Sequence, residues 1–257
     1  MTTLTPGADP SPLAIADRRA SSVLSFARWY ARRRIARELD GVWVAGLDTA
    51  REALAREPLV LALNHVAWWD VLVLVLLDEA LGSEMRVLMD TRNLRKLPYL
   101  GSIGAIPLDR STPETSARDL DAAARWLDRP GRVVGIFPQG RQRASHLRPL
   151  AFRRGVEQLV VASGATVVPV ALQYGFREAP MPAVGLRFGP HLPASAVGRA
   201  GGAAVLEDVI DAQLSRLDPL FDGTPPETCG LSALVPSGAE RTDDSAAARL
   251  LARWMKA

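Results

Sequence analysis

Residues 58–77 read PLVLALNHVAWWDVLVLVLL, and the fold class turns on how this oily run is divided. Its only strongly polar side chains are Asn64, His65 and Asp70. As one helix it would be long enough to span a bilayer. A span would put His65 and Asp70 near mid-membrane, where an aspartate costs about 2.5–3.5 kcal/mol on insertion scales. The other division is a buried strand over Leu59–Leu63, a turn, and a buried helix over Ala67–Ala80 ended near Gly82. A base and a carboxylate this close, between apolar flanks, are costly to bury unless paired, and their pairing suggests a general-base dyad. Five residues on a regular helix turn through about 500°, which leaves two side chains about 140° apart. His65 and Asp70 can therefore meet only if His65 lies before the helix begins or in its irregular first turn.

On either side of that run, strand-length and helix-length segments alternate. Gly41–Gly46, Leu59–Leu63, Arg86–Met89, Arg132–Phe137, Thr166–Leu172 and Val184–Phe188 read as strands, and Gly101–Leu108 as a glycine-punctuated turn and strand. Thr91–Leu97, Phe152–Ser163 and Ala203–Leu220 read as helices. Ser111-Thr112-Pro113-Glu114 opens another, with Ser111 as cap, an early proline and a glutamate three residues on. That helix turns Leu120, Ala124 and Leu127 inward and stops at Pro130-Gly131. Such alternation gives an α/β fold, a mostly parallel central sheet flanked by helices.

The flanks of the domain have a different composition. Residues 1–16 read as a disordered N-terminus, 17–39 as a basic amphipathic helix, 40–221 as the folded domain, 222–244 as a linker and 245–257 as a C-terminal helix. The helix at 17–39 sets Val23, Phe26 and Tyr30 on one side and carries seven arginines between Arg18 and Arg37. With Trp29 and Tyr30 it suits an anionic bilayer surface, and it equally suits a solvated face on a helix packed against the core.

Composition narrows the class. A chain of 257 residues that is 48% hydrophobic can bury one large core. Thirty-one basic against 28 acidic residues is too even a balance for a general nucleic-acid binder, so the placement of the arginines matters more than their number. The single cysteine, Cys229, cannot form an internal disulfide, which fits a reducing compartment, and its Pro/Gly-rich loop does not suit a nucleophile. The N-terminus lacks the basic start and apolar core of a signal peptide. No spacing of His, Cys and Asp suggests a metal, and no G-x-S-x-G elbow suggests a serine hydrolase.

Three further segments bear on His65 and Asp70. Gly101–Arg110 (GSIGAIPLDR) ends a strand with an aspartate and an arginine, Ile136–Arg143 (IFPQGRQR) ends another with a glycine turn and two arginines, and Val167–Leu172 (VVPVAL) is an apolar strand broken by proline. Strand ends in such sheets are where ligands bind, and arginine suits phosphate. These blocks, in this order from about Gly41 to Pro193, resemble the glycerolipid acyltransferase superfamily of the 1-acylglycerol-3-phosphate acyltransferase type. That family carries NHxSxxD, G-x-I-x-x-D-R, FPEGTRS and a VVPV-like strand, and Phe152-Arg153-Arg154-Gly155 resembles its FKxG.

The resemblance implies an O-acyltransferase. His65 would be the base for an acceptor hydroxyl, oriented by Asp70. Arg110 would bind the acceptor's phosphate or other anionic group, with Gln139, Gly140, Arg141 and Arg143 lining the acceptor site and Val167–Leu172 helping to shape the acyl pocket. The donor would be acyl-CoA or acyl-carrier protein, with no other cofactor. The setting would be peripheral, on the cytoplasmic face of the membrane. The third block departs from the pattern, because Gln139 stands where glutamate is usual, and Ala67 replaces the serine of the first block. Two other expectations follow: an enzyme of this fold acting on a non-phosphate lipid or glycolipid hydroxyl, or a catalytically silent membrane-lipid-binding protein.

Overall fold

The computed structural model describes residues 21–237. Its strands are β1 (Val42–Ala45), β2 (Leu59–Leu63), β3 (Glu84–Asp90), β4 (Ala105–Leu108), β5 (Arg132–Ile136), β6 (Thr166–Phe176), β7 (Pro182–Phe188) and β8 (Ser232–Val235). The helices are α1 (Ser21–Glu38), α2 (Leu47–Leu54), α3 (Asp70–Leu81), α4 (Thr91–Lys96), α5 (Tyr99–Ser102), α6 (Pro113–Ala124), α7 (Gly155–Ser163), α8 (Ala194–Val197), α9 (Gly202–Ser215) and α10 (Asp218–Phe221). The strands form one sheet in the order β4-β3-β5-β2-β6-β7-β1-β8. β2 lies parallel to both β5 and β6, and β3 and β4 extend the parallel half. The antiparallel pairs are β6 with β7 and β1 with β8.

The oily run therefore divides into a strand and a helix. Side chains alternate across a strand, so Leu59, Leu61 and Leu63 of β2 enter one core, beneath α1, α2 and α3. Val60 and Ala62 enter a second core, beneath α6, α7 and α9. A strand covered on both faces has no polar side to show, which is why the run is continuously apolar. α3 ends at Gly82, whose φ of +65° forms the left-handed cap. Among the described residues no helix is long and apolar enough to cross a membrane.

Several elements differ from the sequence reading, each for a local reason. α3 begins at Asp70 rather than Ala67, because Ala67–Trp69 are spent on a turn. α6 is capped by Thr112 rather than Ser111, and Thr115 rather than Glu114 returns the bond to the cap. β6 runs on to Phe176, since its antiparallel pairing with β7 continues past the parallel register with β2. On α1 the stripe facing the core is Leu24, Ala31 and Ile35, and Val23 and Phe26 are exposed. Basic and aromatic side chains mix on its outer surface, so the helix is not divided into an apolar and a polar face. In the segment read as a linker, the described residues include β8, which is hydrogen-bonded to β1 and extends the sheet. The expected disordered N-terminus and C-terminal helix lie outside the described residues.

The topology fixes where a ligand crevice can open. The connection leaving β2 passes to α3 on one face of the sheet, and the connection leaving its neighbour β5 passes to α7 on the other. Adjacent strands whose exits diverge leave a gap at their carboxyl ends, where ligands bind in open α/β sheets. Residues 64–69 and 137–143 border that gap.

Candidate active site

The turn after β2 is built around two buried polar side chains. The Asn64 carboxamide donates to the Leu172 carbonyl and accepts from the Leu172 N–H, both at 2.8 Å, so it continues the β2–β6 ladder one step past the strand. Asp70 is wholly buried at the start of α3. Its Oδ2 lies 2.6 Å from His65 Nδ1 and accepts the Val66 N–H at 2.8 Å. The Ala67 N–H reaches both carboxylate oxygens at 3.2 Å. These bonds fold residues 65–67 around the carboxylate, and the first turn of a helix favours a negative charge. With His65 ahead of the helix, the five-residue spacing closes.

Facing Asp70, Nδ1 carries the imidazole proton, which leaves Nε2 free to act as a base. The ring stacks on Phe137 with centroids 4.3 Å apart. His65 is also held through its backbone: its N–H donates to Gln139 Oε1 at 2.6 Å and its carbonyl accepts the Arg143 N–H at 2.8 Å. Sequence reasoning missed Tyr174, whose hydroxyl donates to Asp70 Oδ1 at 2.7 Å from the far end of β6. Its one sequence signal is an aromatic residue in phase with Val170 and Leu172. Burial, followed by the charge of Asp70, pushes the Tyr174 phenol well above its ordinary range, so it stays protonated.

Gln139 is buried and points away from the crevice. Its amide accepts from His65 and donates through Nε2 to the Leu150 carbonyl at 3.1 Å. The Arg143 guanidinium binds the carbonyls of Pro149 and Leu150 at 2.9 and 3.0 Å. Both residues brace the loop beneath His65, and neither lines the cavity. Arg110 bridges two strand ends, donating to Asp90 Oδ2 from Nη2 at 2.6 Å and from Nε at 3.0 Å, and to the Gly140 carbonyl at 2.9 Å. Three of its five N–H donors are thus engaged. Arg92 and then Arg110 hold the Asp90 carboxyl far below the usual carboxylate range. Gly140 has φ +66°, and a Cβ there would stand 2.5 Å from Arg110 Nη1, so the turn needs glycine on both counts.

A cavity of about 920 Å³ opens beside His65. Leu74, Val75, Met85, Val87, Leu100 and Ile103 form an apolar wall, and Leu24 of α1 also lines the cavity. Arg110, Arg141 and Arg153 gather near Gly140 on the same cavity. Arg141 and Arg153 are exposed and have no carboxylate partner among the described residues. Of the residues expected at the site, His65, Arg110, Gly140 and Arg141 line the cavity, and Asp70 stands behind His65. Val167–Leu172 does not line it but is buried in the sheet. Arg153 was quoted in a motif without a role, and the structure brings it to the cavity. Cys229 packs against the second core and does not line the cavity.

Comparison with known proteins gives two matches of different kinds. The Acyltransferase family model matches residues 42–173, just over half of the chain. No curated protein sequence matches it. Among solved structures, the 1-acyl-sn-glycerophosphate (LPA) acyltransferase PlsC from Thermotoga maritima is similar in fold, with a TM-score of 0.57 at 15% identity, over 76% of this chain and 79% of that one.

Proposed function

Because the chain belongs to the acyltransferase family, we propose that it moves a fatty acyl group from acyl-CoA or acyl-carrier protein to a hydroxyl of a lysophospholipid or glycerol-phosphate-like acceptor. The observation that carries this reading is the meeting of three features in one crevice: an oriented His65, a cavity of about 920 Å³ with an apolar wall, and a cluster of arginines. An acyl chain needs the second, an anionic headgroup the third, and a hydroxyl nucleophile the first.

His65 Nε2 accepts the proton of the acceptor hydroxyl as its oxygen attacks the thioester carbonyl carbon. The tetrahedral intermediate then collapses, the carbon–sulfur bond breaks, and the imidazolium returns the proton to the leaving thiolate. Asp70 keeps Nδ1 protonated and stabilises the transient imidazolium. Arg110, fixed by Asp90 and the Gly140 carbonyl, presents its remaining donors to the acceptor's phosphate, with Arg141 and Arg153 alongside. The neutral amide of Gln139 is matched to two backbone partners, so its replacement of glutamate gives no support to a changed acceptor.

The reaction sits at a membrane surface in this reading. Phe26 and Trp29 of α1 and Trp68 of the His65 turn are at least half exposed, with Arg33 over the Trp29 ring and Arg34 over that of Trp68. Aromatic rings beside arginines suit the headgroup region of an anionic bilayer.

The test is mass spectrometry of products formed from acyl-CoA, or acyl-carrier protein, and a panel of lysolipids and glycolipids. The expected product is an acylated anionic lysolipid, lost by a factor of about 10²–10⁴ in His65→Ala. Equal product from wild type and His65→Ala would overturn the reading. Preference for an uncharged glycolipid would overturn the acceptor assignment alone.

A further inference from the structure

Tyr174 belongs to none of the motif blocks, and the family match ends one residue before it. Resting on the acyl-transfer reading above, we propose that Tyr174 is a positioning residue of the dyad, so that a Tyr174–Asp70–His65 chain, and not the pair alone, sets the basicity of the imidazole. A buried carboxylate has about four acceptor sites to fill. Asp70 meets four donors: His65 Nδ1, the Val66 and Ala67 N–H groups, and the Tyr174 hydroxyl. The only other donor at Oδ1 among the described residues is the Ala67 N–H, at 3.2 Å and shared with Oδ2. Asp70 is wholly buried, so bulk solvent does not reach it to replace a missing donor.

Strand geometry holds the phenol in place. The Asn64 carboxamide locks Leu172, two residues before Tyr174, onto the turn that carries His65. Tyr174 shares the face of Leu172 and so returns to the same turn. Burial and the charge of Asp70 raise the phenol well above its ordinary range, so it donates throughout the working pH. The titratable groups facing Asp70 are His65 and Tyr174. From α1, Arg34 stops over the rings of Trp68 and Trp69, at 6.0 and 5.5 Å.

Removing the hydroxyl takes a donor from Asp70, concentrates negative charge toward Nδ1 and favours the imidazolium. The His65 titration midpoint therefore moves up in Tyr174→Phe. The chain has three histidines, so the His65 signal is assignable by NMR on the full chain against His65→Ala. In Tyr174→Phe the midpoint and the acid limb of kcat/KM rise together, by about half a unit or more, while kcat falls about tenfold with both KM values within about twofold, because a carboxylate unanchored at Oδ1 no longer fixes the imidazole's orientation. In an Asp70→Asn background the same change has little further effect, because the two residues act as one unit. An unmoved midpoint with the phenylalanine variant folded would reduce Tyr174 to packing, as would additive losses in the double variant. If Tyr174→Phe does not fold, 3-fluorotyrosine at 174 is a stronger donor and should lower the midpoint; no shift there overturns the proposal. Failure of the functional reading is separate: the wild type would yield no acyl product, whatever the imidazole does.

Discussion

Gln139 marks the point where sequence pattern and local chemistry part. An ionised glutamate in its place would keep the bond from the His65 N–H but set an anionic oxygen against the Leu150 carbonyl. Gln139→Glu is expected to cost about 1–3 kcal/mol in denaturant unfolding at neutral pH, the price of an unpaired buried acceptor. The penalty should ease as pH falls and the carboxyl gains a proton to donate. Gly140→Ala acts on substrate instead: its Cβ would displace Arg110 Nη1 from 2.5 Å. KM for an anionic acceptor should rise about tenfold or more, with the donor's KM little changed. Asp90 has a pH signature of its own. Its carboxyl is depressed by Arg92 and Arg110, so its contribution to stability is complete above the unfolded value near 4 and is lost as pH falls through the much lower folded value. Asp90→Asn should lose about 1–2 kcal/mol at pH 7, with the gap to wild type narrowing below about pH 4. Urea titrations at several pH values measure it.

At the scale of elements, what was legible followed periodicity and what was not followed contact. β2, buried on both faces, is bounded in the sequence as it is in the structure, and the requirement that His65 precede the helix follows from helical geometry alone. α2 left no expectation in the sequence, because its eight residues offer little more than two turns of pattern. β8 was hidden in a Gly/Pro-rich stretch whose strand character comes from pairing with β1. The core-facing stripe of α1, Leu24, Ala31 and Ile35, was not singled out in the sequence because the helix carries aromatics outward as well. Of the site, the dyad and the arginine cluster were readable as motifs. The inward turn of Gln139 and Arg143 was not, because both bond to backbone groups that no pattern encodes. α1 also makes an expectation at its own scale. Arg28 and Arg32 tie it to Asp78 and Glu79 of α3, while Phe26 and Trp29 touch no core. Replacing both aromatics by serine should weaken sedimentation with anionic vesicles by about tenfold and leave Tm within about 1 °C.

For the molecule as a whole, the apolar-walled cavity beside His65 is expected to make stability depend on its occupant. A non-hydrolysable thioether analogue of a long-chain acyl-CoA, at a hundred times its Kd, should stabilise the fold by about 2.7 kcal/mol and raise Tm by on the order of 5–10 °C. Bare CoA at the same concentration should do less, since it leaves the apolar wall bare; equal shifts would mean that the acyl chain lies elsewhere. The ladder that Asn64 prolongs has one more consequence, in the order of assembly. Asn64 and Leu172 are 108 residues apart, and Asp70 and Tyr174 are 104 apart. His65, Asp70, Arg110 and Gln139 have all been synthesised before β6, yet the turn carrying His65 has its ladder partner only on that strand. Closing so long a loop is entropically slow. A fragment ending at Ser163 should therefore hold most of the motif residues and remain inert, and a second fragment beginning at Gly164 should restore turnover on mixing, with a lag set by the docking of β6 beside β2.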